Sequence, residues 1–541
     1  MGASLEFIIQ NGTLVDGTGS PAEPLDVAIK EDRIAFVGKS PIRNAECGMR
    51  NEETSEHSPR IIDATGLIVA PGFIDIHSHS DFLCLIEPLS QSKVLDGVTT
   101  EICGNCGSSP FPLSEQTYQR KQEGYKKYGL EIDWRDARGF FNRLKDIPSS
   151  INRGFLVGHG SLRDFVMGYE ARNPTGEALS RMKVELAKAM EAGAIGLSSG
   201  LIYPPGCFAS TLELVELSSI VAQSGGIYTT HMRDEGNGVL EAVGEALEVA
   251  RQSGVSLEIS HLKTAGQKNW PKLESMIKLL EGALSQGLRV SCDRYPYIAA
   301  ATDLGVLLPR WVQEGGIDRV MERLTHQPTR EKIVREILDG RRQQDNWDSI
   351  VISAVHSPDR KELEGKGLGQ LSTLWGKPPV EVALDLLVEE KGRAWILLFS
   401  MSEENLERIL PLSFVCIGSD SSLRAREGLL SEGKPHPRAY GTFSRILGRY
   451  VREKGILSME ESVHKMTGLP AHKLGLKARG LIKEGYFADL TLFDPKKVTD
   501  RATYQEPHEY SDGIEYVFVN GRLTVDKGRH TGATCGTVLQ R

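Results

Sequence analysis

Eight short apolar, β-branched runs alternate along this chain with stretches of helical spacing, and each run stops at a polar residue. They read FIDIHSH (73–79), TEICGNC (100–106), LVGHG (156–160), IGLSSG (195–200), IYTTH (227–231), LEISH (257–261), VSCDRY (290–295) and VCIGSD (415–420). A strand that is apolar throughout must be covered on both faces, which is the condition of a parallel sheet flanked by helices. Eight such units predict a closed (β/α)8 TIM barrel. The C-terminal strand ends of that fold carry its chemistry. Six of the eight stops are built from potential metal ligands, so the pattern points to a metal-dependent enzyme.

With 541 residues the chain is too long for a minimal barrel, so accessory structure is expected. Residues 1–66 read as short strands (Phe7–Ile9, Leu14–Val15, Val27–Ile29, Ile34–Val37, Ile61–Asp63) separated by turns such as Asn11-Gly12. Residues 40–60 are polar and aperiodic, which predicts an exposed loop. Residues 481–541 are again strand-like (Ala488–Phe493, Tyr516–Val519, Leu523–Val525), so both chain ends should build one small β-sandwich around a barrel over 67–480. Helical spacing is clear over 178–191 and 237–252. Between the seventh and eighth strands lies far more chain than one helix requires. An insertion over about 305–405, with helical patterning at Arg310–Arg342, is expected to cover the barrel mouth as a lid.

A net charge of −8 and a pI near 6.0 give no reason to propose nucleic-acid binding. No apolar stretch is long enough to span a bilayer, and the start has neither a basic region nor a long apolar core of a secretory signal. Met1-Gly2 resembles a myristoylation start, but Glu6 stands where Ser or Thr is needed. Eight scattered cysteines fit a reducing cytosol, and a cytoplasmic location is expected. Cys103 and Cys106 form a C-x-x-C, but no second element of a redox or zinc-ribbon pattern follows it.

His77 and His79 end the first strand as H-x-H, and residues i and i+2 on a strand face one side. Alone they could be unrelated surface histidines. His231, His261 and Asp420 end the fifth, sixth and eighth strands, and imidazoles with carboxylates are natural Zn²⁺ ligands. Any one of these histidines could be a satisfied core residue; four with an aspartate at one barrel end are harder to explain so. Cys106 ends the second strand, where it is either a thiolate ligand or an inert buried cysteine. Spacing does not decide between the two.

PGFIDIHSHSD, GVTTEICGNCG, GHGSLR, GAIGLSSGLIYPPG, THMRDEG, ISHLKTAG, DRYPY, GSDSS and HPRAYGTF, in this order, resemble the D-aminoacylase (N-acyl-D-amino-acid deacylase) branch of the amidohydrolase superfamily. The resemblance runs across nearly the whole chain and includes the final IEYVFVNG. It implies a tightly held zinc on Cys106, His231 and His261, and a weaker second position on His77, His79 and Asp420. It also implies that Asp420 is the catalytic base, and it favours ligation by Cys106, which stands where many amidohydrolases place a carboxylated lysine. Bound metal activates a water and polarises the amide carbonyl, and Asp420 would move the proton.

The implied substrate is a small N-acyl-D-amino acid. Lys263 of ISHLK, Tyr203 of GLIYPPG and Tyr295 of RYPY are the candidates to bind it. After YPY the family often has a small hydroxyl residue, but this chain reads Ile298-Ala299-Ala300-Ala301, with Thr302 as a substitute. Arg310 is either a reader of an acidic D-side chain or a surface charge on the lid, and apolar D-residues are the default expectation. Arg233, Asp234 and Glu235 could orient a ligand or form plain salt bridges. His159 is not assigned to the metal shell. Two other readings are a hydrolase of cyclic amides such as hydantoins and dihydropyrimidines, and a barrel that has lost catalysis. The sequence leaves oligomeric state open.

Overall fold

The computed structural model describes residues 5–39, 58–341 and 346–541. Its centre is an eight-stranded sheet whose neighbours follow chain order: Phe73–Asp75, Val98–Cys103, Asn152–Gly158, Gly196–Gly200, Ile227–His231, Ser256–Ile259, Val290–Arg294 and Val415–Ile417. All seven pairings between them are parallel. First and eighth strands meet just beyond their ends: the Asp420 N–H donates to His77 O at 2.8 Å, and the His79 N–H to Ser421 O at 3.0 Å. The sheet therefore closes as the (β/α)8 pattern predicts, and it closes at the rim that carries His77, His79 and Asp420.

Near-complete burial explains why these strands lack the polar alternation of a one-faced sheet. Helices including Gly176–Glu191, Thr211–Gln223, Val239–Ser253 and Leu273–Ser285 cover the barrel. Their apolar faces join the strands in the largest core cluster, with Phe140, Phe155, Leu197, Leu217 and Leu257 among its fully buried members. The helices predicted over 178–191 and 237–252 are present with slightly different ends.

Both chain ends build the accessory sandwich. One sheet holds Arg33–Gly38, Asp26–Lys30, Phe7–Gln10 and Arg60–Asp63. The other interleaves Thr13–Leu14 and Ile68–Pro71 with Leu490–Phe493, Ile514–Val519, Arg522–Asp526 and Arg529–His530. Ile9, Val27, Ile29 and Val69 pack with Leu490, Leu492 and Phe518 between the sheets. Of the loop expected over 40–60, residues 40–57 lie outside the described residues, and Arg60 already belongs to a strand. The last residues run against the opposite rim of the barrel, where the Leu539 N–H donates to Arg153 O at 2.7 Å.

The insertion is a folded unit with its own core of Leu304, Val312, Leu324, Ile352, Leu368, Leu384 and Ile396. Helices Ile317–Thr325 and Gln327–Arg341 occupy the stretch with helical patterning. The unit also holds a three-stranded antiparallel sheet, Ala299–Asp303, Trp395–Phe399 and Ile350–Ala354, which the pattern did not reveal. Ala299 lies directly opposite Phe399.

Candidate metal centre

Three of the predicted ligands sit on backbone that few side chains adopt. Cys106, His261 and Asp420 have φ of 50°, 39° and 50°, in the left-handed region. Each stands where the chain leaves a barrel strand, and the turn directs the side chain across the mouth. The Cys106 loop is held by close packing: a Cβ on Gly104 would lie 2.3 Å from Leu156 O, and one on Gly107 would lie 2.6 Å from Gly200 N. Ser198 of the fourth strand pins this loop, donating to Gly104 O at 2.5 Å and accepting from the Gly107 N–H at 3.0 Å. Strain of this kind concentrates at functional sites.

These turns bring together all six predicted ligand candidates in two groups that share one sulfur. His77, His79, Cys106 and Asp420 form one group and Cys106, His231 and His261 the other, with the ligand atoms of each within 4.8 Å of one another. Cys106 Sγ lies 3.4 Å from His77 Nε2 and 3.7 Å from His261 Nε2. Asp420 Oδ1 lies 3.1 Å from His79 Nε2 and 3.4 Å from His77 Nε2. His231 Nε2 is buried and has no hydrogen-bond partner among the described residues. A buried orphan nitrogen beside a thiol and a second imidazole fits a metal ligand.

Carboxylates behind the histidines orient them. Asp293 Oδ2 is 2.9 Å from His77 Nδ1 and its other oxygen accepts the backbone N–H of His261 at 2.9 Å. Glu235 Oε1 is 2.9 Å from His261 Nδ1, and Oε2 is 3.5 Å from His231 Nε2. On His77 and His261 the carboxylate sits on Nδ1 and leaves the Nε2 lone pair for a metal, whereas at His231 it lies on the Nε2 side.

The charges interlock. Burial opposes ionisation of His77, but Asp293, Cys106 and Asp420 outweigh it and hold the imidazolium well above its ordinary range. Burial likewise opposes His79, which Asp420 and Cys106 raise to about 9. For His261 the opposing effects are burial and Lys263, and Glu235, Asp420 and Cys106 raise it to about 10. The Cys106 thiol is driven well below its usual value despite burial, by His77, His231 and His261. Asp420 overcomes burial through Arg438, His77 and His261, and stays well below the carboxylate range.

Arg438 went unassigned in the sequence, although it lies within HPRAYGTF. Its Nη1 is 2.9 Å from Asp420 Oδ2, and its guanidinium carbon lies 4.5 Å from the centre of the Tyr295 ring. Asp293 was also missed; it sits in VSCDRY, one of the eight runs.

The predicted substrate residues are placed unevenly. Tyr203 stands 5.2 Å from the His231 ring, and its hydroxyl is 3.0 Å from Thr302 Oγ1. Tyr295 lies 6.5 Å from the His261 ring, with a buried hydroxyl that has no partner among the described residues. Lys263 is buried and already engaged, its Nζ 2.5 Å from Glu235 Oε1 and 2.7 Å from His261 Nδ1. Arg310 is exposed and donates to Arg233 O at 3.2 Å. Arg233 forms a salt bridge with Glu245 at 2.8 Å, Asp234 accepts from the Gly236 N–H, and only Glu235 of this trio touches the histidines. His159 pairs with Glu213 at 2.8 Å, apart from the ligands. Cys103 and Cys106 are both free thiols.

The model of the amidohydrolase family matches residues 60–261 and 417–525. The chain belongs to the amidohydrolase family. The gap between the matched stretches takes in the seventh strand and the insertion. This amidohydrolase is 35% identical to a D-aminoacylase of Alcaligenes xylosoxydans xylosoxydans, over 99% of this chain and 98% of that one. It is 34% identical to an N-acyl-D-glutamate deacylase of the same organism, over 96% and 94% of the two chains. Among solved structures it matches N-acyl-D-glutamate deacylase from Bordetella bronchiseptica, complexed with zinc and a phosphonate mimic of the tetrahedral intermediate. That match has a TM-score of 0.81 at 32% identity and covers 99% of this chain and 100% of the other.

Proposed function

We propose that this amidohydrolase cleaves the amide bond of N-acyl-D-amino acids, releasing a carboxylate and a free D-amino acid, with zinc as its metal. The observation that carries the reading is that all six ligand candidates converge on one barrel mouth, in a chain whose full-length relatives are named as D-amino-acid deacylases. Cys106, His231 and His261 would hold the tighter zinc, and His77, His79 and Asp420 a weaker second position. Zinc bound there would supply an acidified water and a Lewis acid for the acyl carbonyl.

The chain's own residues do the rest. Asp420, kept ionised by Arg438, accepts a proton from the attacking water. The water oxygen bonds to the acyl carbon, the C–N bond breaks, and the leaving amine takes its proton back from Asp420. Tyr295, whose hydroxyl has no partner among the described residues, and Arg438 beside it form a cationic, hydrogen-bonding corner suited to the substrate carboxylate. Lys263 holds Glu235 and lies against His261 Nδ1, and Tyr203 with Thr302 forms a hydroxyl pair at the mouth. Arg310 is turned onto a backbone carbonyl at an exposed position, which favours apolar over acidic D-side chains.

Scattered free cysteines support a reducing, cytoplasmic setting; among the described residues no helix is long and apolar enough to cross a membrane. Cyclic-amide hydrolysis is disfavoured because relatives with that activity generally bridge their metals with a carboxylated lysine, where this chain offers Cys106. The test is metal analysis of the purified protein, followed by hydrolysis of N-acetyl-D- and N-acetyl-L-leucine, -methionine, -glutamate and -aspartate. Bound zinc with turnover of the D-compounds, best for leucine and methionine, is expected. Turnover of L-substrates only, or of cyclic amides instead, overturns the reading.

A further inference from the structure

The H-S-H-S of 77–80 and the S-D-S of 419–421 alternate ligand candidates with serines. His77, His79 and Asp420 converge on the mouth, while the serines beside them are buried in the barrel wall. There they meet two buried ion pairs.

Ser78 and Ser80 both donate to Glu101 Oε2 at 2.7 Å, and Glu101 Oε1 pairs with Arg153 Nε at 2.8 Å. Lys93 Nζ pairs with Asp75 Oδ2 at 2.7 Å and donates to Ser419 Oγ at 2.9 Å and Ser421 O at 3.2 Å. Asp75 Oδ1 accepts the backbone N–H of Ser419 at 2.8 Å and of His77 at 3.3 Å. One carboxylate thus touches both segments that carry these ligands. All four charged residues are 3% exposed or less.

Buried ion pairs are weak stabilisers, and well-packed apolar residues of similar volume often replace them without loss. Two such pairs, each hydrogen-bonded to serines that adjoin the ligand candidates, are better explained by position than by stability. We propose that Lys93–Asp75 and Glu101–Arg153 are positioning clamps that set His77, His79 and Asp420 for the second metal position. The inference rests on the ligand assignment proposed above. Among the described residues neither pair hydrogen-bonds to the side chains of Cys106, His231 or His261.

The test is Zn²⁺ titration of the parent and of Ser419→Ala, the double variant Ser78→Ala/Ser80→Ala, and Lys93→Met, each first dialysed to retain its tightly held zinc. The second equivalent should bind about 10- to 100-fold more weakly in the variants, and the first should stay within about twofold. Lys93→Met leaves Asp75 unpaired and is the variant most prone to unfold; the serine variants keep every charge paired, so they decide the matter if it does. Equal weakening of both equivalents, an unchanged second equivalent, or a parent that takes up only one zinc overturns the proposal. A parent that binds two zinc ions yet hydrolyses no N-acyl-D-amino acid refutes the function and leaves the clamps standing.

Discussion

The two halves of the proposed metal centre share Cys106 but are supported from opposite directions. His261 is held from within the mouth by Glu235, which also lies 3.5 Å from His231 Nε2; burial opposes ionisation of this carboxylate, but Lys263, His231 and His261 hold it well below its ordinary range. Asp420 and the H-x-H pair are backed from the barrel wall, by ion pairs that also join the first strand to the eighth. Support from a loop carboxylate can change as the loops change. Support from the wall is tied to closure of the barrel itself.

The most severe break of this comparison is Cys106→Ala, which removes the sulfur common to both groups. Zinc should be lost from both positions and turnover abolished, as metal analysis and assay of the purified variant would show. Zinc retained with parental affinity would mean that the halves do not share a ligand. Next is Asp420→Asn, which keeps the tighter zinc and costs about 10²- to 10⁴-fold in kcat as the proton carrier is removed. Parental turnover in this variant would refute Asp420 as base. Smaller still is Glu235→Gln, the counterpart of the clamp variants. It should weaken the first zinc by about 10- to 100-fold and leave the second unchanged, a reversal of the pattern expected for Ser419→Ala.

The mildest test is pH. In the metal-free protein His79 and His261 hold protons up to about 9 and about 10, whereas ligation requires neutral imidazole. Zinc uptake near neutrality must therefore expel protons, and affinity should rise with pH until those values are passed. Calorimetry in buffers of different ionisation enthalpy counts the protons. A count of zero, or affinity falling as pH rises, contradicts the charge pattern at His79 and His261.

Much of this was legible because a barrel writes its mouth into the sequence as polar stops on apolar strands. His77, His79, His231, His261 and Asp420 stand out as ligand candidates in that way, and the fold brings them together. The dual position of Cys106 does not stand out, because it depends on left-handed backbone at Cys106, His261 and Asp420 that no periodicity encodes. Arg438 lies beyond the eighth strand in a helix, and an arginine on a helix looks the same in sequence whether buried or solvated. Lys93 was hidden for the same reason: a lysine in the four-residue helix Gln91–Val94 gives no sign of its 2% exposure. The insertion's sheet was missed at Ala299–Asp303 because an alanine run carries little strand propensity; pairing with Trp395–Phe399 makes it a strand.

That pairing has a consequence for how such a barrel changes its diet. Ala299 and Phe399 face each other, so the whole excursion leaves and rejoins the barrel at one point, as the base of a hairpin does. The insertion has a core of its own and is joined to the barrel through one paired stem, with further contacts such as Arg310 on Arg233 O and the Gly315 N–H on Tyr169 O. A unit joined in this manner behaves as an exchangeable cassette. A different cassette, hung on the same stem, would alter what enters the mouth while the proposed metal ligands stayed where they are.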